Sequence, residues 1–379
     1  MIPRTIFSPE HELFRDSFKK FIAQEITPHH DAWEEAQQVD RGLWTKAGEQ
    51  GFLCTSLPEE FGGSGADRLY SAIILEELSY AGATGPGFSL HSDIVAPYIN
   101  NYGTPELKQR YLPKMATGEW IGAIAMTEPG TGSDLQAVKT TAVEDGDDFI
   151  INGSKTFITN GYMCDFAIVV AKTGDPKGGA DQMSLIIVDA ERAGFTKEKP
   201  LKKVGMKAQD TCVLHFDTVR VPKTNILGGP NMAFIMLMSE LAWERLMIAI
   251  GCVSGAQFAL DEALKYSKER EAFGRPIGKF QNTKFTLAEM KTKVSMARVF
   301  VDRCMELELE KKLDVDDAAA AKYWTSELLC EVVDEAVQIH GGYGYMWEYP
   351  IARAYADARV QRIYGGTSEI MKEIISRGM

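Results

Sequence analysis

One helical pattern of about forty residues, Asn231–Glu271, constrains this fold more than any other feature of the sequence. At 1.5 Å per residue, a single helix of this length would be roughly 60 Å long. Further helical patterns follow a break at GRPIGKF and cover Gln281–Lys312, Asp316–His340 and Thr367–Arg377. Long antiparallel helices that follow a short break indicate a helical bundle.

The chain before this helix contains two regions with different patterns. Ser8-Pro9 has the features of a helix start, and helical patterns recur at about Arg41–Gln50, Arg68–Ala81 and Thr104–Ala116. From about Glu119 the pattern changes to short β-type runs, which read WIGAIAMT, DFIING, KTFITN, DFAIVVA, MSLIIVD and CVLHFDTV. No helical pattern lies between these runs, so antiparallel pairing in a sandwich or barrel is favoured over a βαβ sheet.

These patterns predict an α+β fold of three domains. The predicted domains are an N-terminal all-α domain at 1–120, a middle β-barrel or β-sandwich domain at 121–229, and a C-terminal four-helix bundle at 230–379.

Composition and charge exclude several classes of protein. The net charge is −12 and no run of basic residues interrupts it, which argues against a nucleic acid or an anionic membrane as partner. The six cysteines are scattered, without a CxxC pair or a Cys/His cluster at metal-ligand spacing. We therefore predict no metal site, and reduced thiols in a cytoplasmic compartment. Charged residues interrupt the apolar part of the long helix, so no membrane span is predicted.

Glu244 is the strongest candidate for a catalytic group. It lies in the apolar segment SELAWERLMIAIG, where its helical neighbours at three and four residues include Glu240 but no cation. A carboxyl group in such surroundings should have a raised pKa, which suits a proton acceptor near neutral pH. The alternative is an ordinary buried salt bridge to a distant Lys or Arg. Arg245 has only apolar helical neighbours, so we expect its anionic partner to come from elsewhere.

Two motifs in the middle region contain residue types that suit a ligand. AMTEPGTGSD ends a β run in a glycine-rich turn with hydroxyls at Thr127, Thr131 and Ser133, although it lacks the GxGxxG that opens a Rossmann helix. Phe157 and Thr159 are two residues apart on a predicted strand, hence on one face, where they suit a flat heteroaromatic ring. A turn without a ligand, and a core Phe beside a surface Thr, are the alternatives.

Three motifs in the C-terminal region also have two interpretations. Arg270, in EREAFGR, suits a phosphate or simply the negative end of a helix. Gly341, in QIHGGYGYMWEYP, belongs to a ligand-binding turn or ends a helix as its C-cap. Thr367 or Ser368 caps the last helix, whose N-terminus suits a phosphate or a carbonyl oxygen.

In this order and spacing, the motifs resemble those of the acyl-CoA dehydrogenase family over the whole chain. AMTEPGTGSD, KTFITNG, REAFGRPIGKFQ, QIHGGYGYMWEYPIAR and YGGTSEI carry the resemblance. FSLHSDIVAPYINNYG, GMKAQDT and RIYGGTSEIMKE are most similar to its long-chain members. The resemblance implies non-covalently bound FAD, a homotetramer, and removal of two hydrogens from an acyl-CoA thioester in fatty-acid β-oxidation. It also implies transfer of the electrons to an electron-transfer flavoprotein.

The resemblance assigns a role to Glu244 through a departure from the common pattern. Most members place the catalytic Glu just before the Gly-Thr of the last motif, where this chain has Gly365. Long-chain and isovaleryl members carry it on the long helix instead, which points to Glu244 as the base that removes the α-proton. The thioester oxygen would then be stabilised by a ribityl hydroxyl of FAD and the Gly365 N–H.

The resemblance also implies binding residues, some of which would reach a neighbouring subunit's cofactor. The implied substrate-binding residues are Ser133, Ala242, Arg245, Gly365 and Gly366. The implied cofactor-binding residues are Ile124, Met126, Thr127, Gly132, Ser133, Phe157, Ile158, Thr159, Arg270, Phe273, Gln281, Gln338, Ile339, Gly341, Gly342, Thr367, Ser368 and Glu369.

Three alternatives stay open at this point. The substrate could be a branched-chain or isoprenoid acyl-CoA, since isovaleryl members share the helix-borne Glu. An acyl-CoA oxidase is disfavoured because full-length oxidases are usually longer. A flavin-containing nucleic-acid-binding relative would need a basic surface, which the net charge of −12 disfavours. The initial Met and the lack of a targeting segment predict a bacterial-type cytoplasmic enzyme, or a mitochondrial-matrix location if the source is eukaryotic.

Overall fold

The N-terminal region is helical, as predicted. The computed structural model describes residues 2–379. Ser8, Asp40, Asp67 and Thr104 each accept a backbone N–H at a helix start, because a short polar side chain there satisfies an otherwise unpaired donor. The helices are α1 Pro9–Phe21, α2 His30–Ala36, α3 Arg41–Glu49, α4 Arg68–Tyr80, α5 Ala96–Tyr102 and α6 Pro105–Ala116.

Two of these helices were not predicted from the sequence. α2 is only seven residues long, and α5 follows directly on a π-helical turn at Leu90–Val95. A short helix shows too few periods for a clear hydrophobic pattern, and a π turn shifts the spacing of the apolar positions. α5 nevertheless proves important, because it packs beside the segment that contains Glu244.

The middle region forms one sheet of eight strands, ordered β6-β7-β3-β2-β4-β5-β8 with β1 beside β4. β4 and β5 are buried along their whole length and form its centre. The strands are β1 Gly122–Ala125, β2 Thr141–Asp145, β3 Asp148–Ile158, β4 Phe166–Lys172, β5 Met183–Asp189, β6 Phe195–Lys197, β7 Cys212–Pro222 and β8 Ile226–Leu227.

The prediction of antiparallel pairing needs one correction. Most strand pairs are antiparallel, but β1 runs parallel to β4 and pairs Gly122 with Phe166 and Ala125 with Val169. β2 also meets β4 in parallel at a single residue pair. A parallel pair needs a long crossover connection, and here the segment that contains the β2–β3 hairpin supplies it without an α-helix. The lack of a helical pattern between the β runs therefore favoured antiparallel pairing correctly for most strand pairs but not for β1 and β4.

The C-terminal region is a bundle organised around α7, Ala233–Glu269, which has 37 residues and is about 56 Å long. It packs against α4 and the two following long helices. α10 was not predicted from the sequence, although Pro350 at its first position is a helix-start signal. The remaining elements are hairpin strands β9 Glu271–Ala272 and β10 Arg275–Pro276, and helices α8 Gln281–Leu309, α9 Val315–His340, α10 Pro350–Ala358 and α11 Ser368–Arg377.

The observed elements follow the predicted order of helices, strands and helices, while the exact domain boundaries stay a prediction. Among residues 2–379, no helix combines the length and the apolar character that crossing a membrane requires. For function, the main consequence of the fold is that α5, α7 and the loop before α11 approach one another.

Candidate active site

The centre of the site is the Glu244 carboxylate, which is only 8% exposed on α7. The hydroxyl of Tyr98, on α5, donates a hydrogen bond of 3.0 Å to Glu244 Oε1. Burial raises the pKa of Glu244 to about 7 and Glu240 adds to the rise, whereas Tyr98 and Arg245 act in the opposite direction. The predicted raised pKa is thus confirmed, and the group can exchange a proton near neutral pH.

The alternative of a buried salt bridge fails within the described chain. No Lys, Arg or His side chain among residues 2–379 forms a salt bridge with Glu244. Its like-charged neighbour Glu240 instead accepts hydrogen bonds of 2.9 Å from Asn101 and from Tyr102. α5 therefore donates hydrogen bonds to both carboxylates and fixes their orientation, leaving Glu244 with one neutral donor.

No anionic side chain within residues 2–379 forms a salt bridge with Arg245, so the expectation of a partner from elsewhere stays a prediction. The side chain is buried, and its Nε has no hydrogen-bond acceptor. Burial lowers the pKa of Arg245, and the nearest opposing charge is Glu244 on the same helix. Because an unpaired buried cation is costly, this guanidinium is available to an acceptor on a bound ligand. Ala242, also predicted to contact substrate, lies half-buried one turn away on α7.

The loop before α11 reaches α7 one turn beyond Glu244. Gly365 and Gly366 both have positive φ, +63° and +95°, a conformation that glycine adopts readily. A Cβ at Gly365 would lie only 2.3 Å from Cδ1 of Ile248, so no larger residue fits without a shift. The backbone N–H groups of Gly365 and Gly366 donate no hydrogen bond to any residue between 2 and 379. Both amides are therefore free to donate to a ligand.

The two predicted flavin-binding segments of the middle region lie next to each other. The backbone N–H of Thr156 donates a 2.8 Å hydrogen bond to the carbonyl of Thr127. The buried Lys155 ammonium donates to the carbonyl of Met126 at 3.0 Å and to Glu128 at 2.8 Å. These bonds fix the end of β1 against the end of β3, and Glu128 and Lys155 were not identified from the sequence.

The geometry assumed for Phe157 needs correction. Phe157 has φ +60° and lies where the pairing of β3 with β7 is irregular, and the strand ends at Ile158. Phe157 and Thr159 are therefore not alternate residues of one regular strand. The left-handed residue instead turns the ring outward, where it is 67% exposed, while Thr159 is half-buried. Ile124 and Ile158 are buried in the core, so only their backbone groups are available to a ligand.

The glycine-rich turn after β1 is open to solvent. Backbone hydrogen bonds between Glu128 and Thr131, of 2.9 and 3.0 Å, close the turn. Gly132 and Ser133 follow it and are both exposed. No atom lies within 4 Å of the place that a Cβ on Gly132 would occupy. An extended ligand therefore has room to pass beside this backbone.

The C-terminal residues predicted to bind cofactor form a separate surface. Arg270 lies 5.8 Å from the centre of the Tyr343 ring, beside the turn that contains Gly341 and Gly342. Both glycines have open space where a Cβ would be. Phe273, Gln281 and Gln338 are exposed, and Phe273 is 96% exposed at the tip of the β9–β10 hairpin; Ile339 is half-buried. No hydrogen bond within residues 2–379 joins this surface to Thr127 or Phe157.

The residues at the start of α11 are partly used by the protein itself. The Thr367 hydroxyl accepts from the Ile370 N–H at 3.3 Å and caps the helix as predicted. The buried Ser368 hydroxyl donates to Glu327 at 2.7 Å, so its side chain is not free for a cofactor. Glu369 is exposed. A ligand at this helix end would therefore meet Glu369, the Thr367 hydroxyl and the backbone.

These features fit FAD in composition and shape. The exposed Phe157 ring beside Thr127 suits one side of a flat isoalloxazine ring. The open Gly132–Ser133 backbone provides donors for an extended polar chain.

Tyr98 and Lys322 lie at the site and were not predicted from the sequence. Tyr98 lies 146 residues before Glu244, and Lys322 lies 44 residues before Gly366, whose carbonyl it contacts at 2.6 Å. Neither has a local pattern that marks it, since each acts only across a tertiary contact. The motif FSLHSDIVAPYINNYG contained Tyr98 but did not indicate its role.

Comparison with known families covers nearly the whole chain. Three family sequence models match: the acyl-CoA dehydrogenase N-terminal domain at residues 8–119, the middle domain at 123–219 and the C-terminal domain at 234–379. The mitochondrial long-chain specific acyl-CoA dehydrogenase of Mus musculus is 52% identical over 375 residues, which cover 99% of this chain and 87% of that protein.

Other relatives extend the comparison. A crystal structure of an acyl-CoA dehydrogenase from Geobacillus kaustophilus superposes with a TM-score of 0.97 at 46% identity and covers 99% of both chains. A 3-(aryl)acrylate reductase of Clostridium sporogenes is 40% identical and covers 98% of this chain and 99% of that protein. Full-length similarity therefore extends to enzymes named for different substrates, and the substrate has to be argued separately.

Proposed function

Because this chain belongs to the acyl-CoA dehydrogenase family, whose members are oxidoreductases, we propose that it dehydrogenates an acyl-CoA thioester to the trans-2-enoyl-CoA. The proposed substrate is a long-chain acyl-CoA, and the proposed electron acceptor after FAD is an electron-transfer flavoprotein. The observation that carries the proposal is the buried carboxylate of Glu244, with its pKa raised to about 7 and no cation paired to it.

Glu244 acts as the base that removes the α-proton of the thioester. A carboxylate with a pKa near ambient pH is ionised often enough to accept a proton and basic enough to take it from a weak carbon acid. The Tyr98 hydroxyl, 3.0 Å from Oε1, keeps one oxygen occupied and leaves the other to face the substrate.

The negative charge that develops on the thioester oxygen is stabilised by the loop before α11. The Gly365 amide has no acceptor within the described chain, so it donates without first breaking another hydrogen bond. Donors fixed in advance lower the barrier because they need no reorganisation during the reaction. The unpaired guanidinium of Arg245, on α7 next to Glu244, adds positive electrostatic potential to the site.

When bound, FAD would supply the acceptor for the hydride that is lost from the β-carbon. Phe157, Thr127 and Thr159 are proposed to hold its ring, with Met126 and the backbone of Ile124 and Ile158 beside them. The C-terminal surface around Arg270 and Gly341 is proposed to hold the cofactor of a neighbouring subunit in a homotetramer. Ser133 is proposed to contact the pantetheine or pyrophosphate part of the substrate. The cellular compartment stays a prediction.

The preference for long chains is supported by the 52% identity to the mouse enzyme named for them. A branched-chain or isoprenoid acyl-CoA is the competing substrate, because the position of the base is the same in both branches. The chemistry at Glu244 is unchanged between the two, and only the shape of the acyl cavity distinguishes them.

Anaerobic titration tests this proposal directly. The purified protein is mixed with straight-chain thioesters from butyryl-CoA to stearoyl-CoA and with isovaleryl-CoA, and the visible flavin absorbance is followed. Fastest bleaching by the long chains supports the full proposal. Fastest bleaching by isovaleryl-CoA supports the proposed dehydrogenation but indicates a branched-chain substrate. A yellow protein that no thioester bleaches contradicts the proposed activity.

The Glu244→Gln variant tests the base itself. It keeps the shape of the side chain and removes the proton acceptor, so bleaching should slow by several orders of magnitude while flavin content stays normal. Glu240→Gln, one helical turn away, is the matched control and should retain most of the rate. Equal rates in Glu244→Gln and the wild type would exclude Glu244 as the base.

A further inference from the structure

Lys322 is a buried lysine in contact with the active-site loop. It lies on α9, its side chain is fully buried, and its Nζ donates a 2.6 Å hydrogen bond to the carbonyl oxygen of Gly366. No carboxylate within residues 2–379 forms a salt bridge with it. A backbone carbonyl is therefore the one strong acceptor that this ammonium group has.

A lysine in this position is not explained by stability. Removing an ammonium group from water is costly unless a full set of partners replaces the solvent. An apolar side chain of similar length is often neutral or stabilising at such a site. The position of Lys322 therefore indicates a role at the carbonyl that it contacts.

α9 also holds the other side of the same loop. Glu327, five residues beyond Lys322 on α9, forms a 2.8 Å salt bridge with Arg362 and accepts a 2.7 Å hydrogen bond from Ser368. Between these two contacts lie Gly365 and Gly366, both with positive φ and without side chains of their own to pack. Two consecutive glycines would otherwise leave this backbone free to move.

We propose that Lys322 is a positioning residue, which fixes the Gly366 carbonyl and thereby holds the free Gly365 amide beside α7, one turn from Glu244. The catalytic part of this inference rests on the proposed function, whereas the structural part does not. Misplacement of a single donor by a fraction of an ångström is enough to slow a reaction by one or two orders of magnitude.

The charge of Lys322 makes this contact sensitive to pH. Burial lowers the pKa of Lys322 to about 8. The charged groups that face it are Arg245 on α7, Glu327 on α9 and Glu369 on α11, and the Cys252 thiol on α7 has a pKa raised to about 12. Above about pH 8 the ammonium becomes a neutral amine, whose hydrogen bond to the carbonyl is weaker.

The first test compares Lys322→Met with the wild type over a range of pH. We expect kcat for flavin reduction to fall about 10- to 100-fold, with KM changed less than about threefold. We also expect the decline in wild-type rate above about pH 8 to be absent from the variant. The control is Lys293→Met on α8, which removes an exposed salt bridge to Glu331 on α9 and should behave as the wild type.

If Lys322 had a purely structural role, Lys322→Met would lower thermal stability or flavin content but would keep the decline in rate above about pH 8, here called the alkaline limb. A Lys322→Met protein with wild-type kcat and an unchanged alkaline limb would overturn the inference. Lys322→Arg keeps a cation that does not titrate in this range. Lys322→Arg is expected to retain activity and to show no alkaline limb. An Arg variant that keeps the alkaline limb would also contradict the inference.

The second test needs neither activity nor a variant. The amides of Ile363 and Tyr364 donate to the carbonyl of Val360 at 2.8 and 3.2 Å and report the order of this loop. Hydrogen exchange of the wild type, corrected for intrinsic rates, should show protection at Ile363 and Tyr364 falling several-fold from pH 7 to pH 9.5, with little change in the rest of the bundle. Unchanged protection would overturn the inference.

The two tests also separate this inference from the proposed function. If no thioester reduces the flavin, the proposed function fails, and hydrogen exchange alone decides whether Lys322 holds the loop.

Discussion

Replacing Tyr98 with phenylalanine should shift the pH dependence of the enzyme toward higher pH. The Tyr98 hydroxyl is the one hydrogen-bond donor to Glu244 among residues 2–379, and it acts on the ionised form at 3.0 Å. A hydrogen bond to a charged group contributes about 1.5–3 kcal/mol. At 1.36 kcal/mol per pKa unit, losing it should raise the pKa of Glu244 by about one to two units.

With Glu244 as the proposed base, the expected effect on rate follows from the fraction of Glu244 that is ionised. With a pKa of about 7, half of the wild-type carboxyl groups are ionised at pH 7. With a pKa of about 8–9 in the variant, the ionised fraction at pH 7 is about one tenth to one hundredth. The rate of flavin bleaching at pH 7 should therefore fall about 5- to 50-fold, and the difference from the wild type measured at the same pH should shrink as the pH rises.

The assay is kcat/KM for flavin reduction measured from pH 5.5 to pH 9.5, fitted on the acid side. Tyr102→Phe is the matched control, because it removes the same hydroxyl from Glu240, which keeps its bond from Asn101. The acid limb should move in Tyr98→Phe and stay within about 0.3 units in the control. An unmoved limb, or one that moves to lower pH, would refute the claim that Tyr98 stabilises the ionised base.

Three further predictions follow from the same contacts. Glu244→Gln should raise the free energy of unfolding by up to about 3 kcal/mol above pH 7. The gain should vanish below about pH 4.5, because the pKa of Glu244 is raised from 4.5 to about 7 and the wild type loses stability as the pH rises through that window. Urea unfolding of the variant and the wild type at pH 8 and at pH 4.5 measures the gain. Equal gains at the two pH values would contradict the reasoning. Gly365→Glu should not restore activity to Glu244→Gln, since its Cβ would lie 2.3 Å from Ile248 Cδ1. Adding Ile248→Ala should restore part of the bleaching rate. Restored activity in Gly365→Glu without Ile248→Ala would contradict the prediction and show that the loop accommodates the larger side chain. Burial acts to raise the pKa of Glu76, but Arg298 and two further arginines lower it to about 2. Glu76→Gln should lower the free energy of unfolding by about 3–5 kcal/mol, because Arg298 loses its one salt bridge within residues 2–379. A decrease of less than about 1 kcal/mol, measured by urea unfolding, would contradict this prediction.

Tertiary structure decided several features that local patterns do not contain. The pairing of β1 with β4 is parallel because the β2–β3 hairpin forms the crossover, and no pattern within β1 specifies its direction. The outward ring of Phe157 results from an irregular register between β3 and β7, which depends on a strand more than fifty residues away. The lack of a hydrogen-bond acceptor for Arg245 Nε within residues 2–379 also depends on how the helices pack.

What the sequence alone determined was local. The length and position of α7 follow from a helical pattern that is read within a few residues, and α7 was found at Ala233–Glu269 against a predicted Asn231–Glu271. The raised pKa of Glu244 was predictable for the same reason, since its helical neighbours at three and four residues contain no cation. The polar partners of the site come from distant parts of the chain: Tyr98 on α5, and Lys322 acting through Gly366. Folding brings these groups together through the packing of whole helices, so their identity depends on tertiary geometry and not on any local spacing.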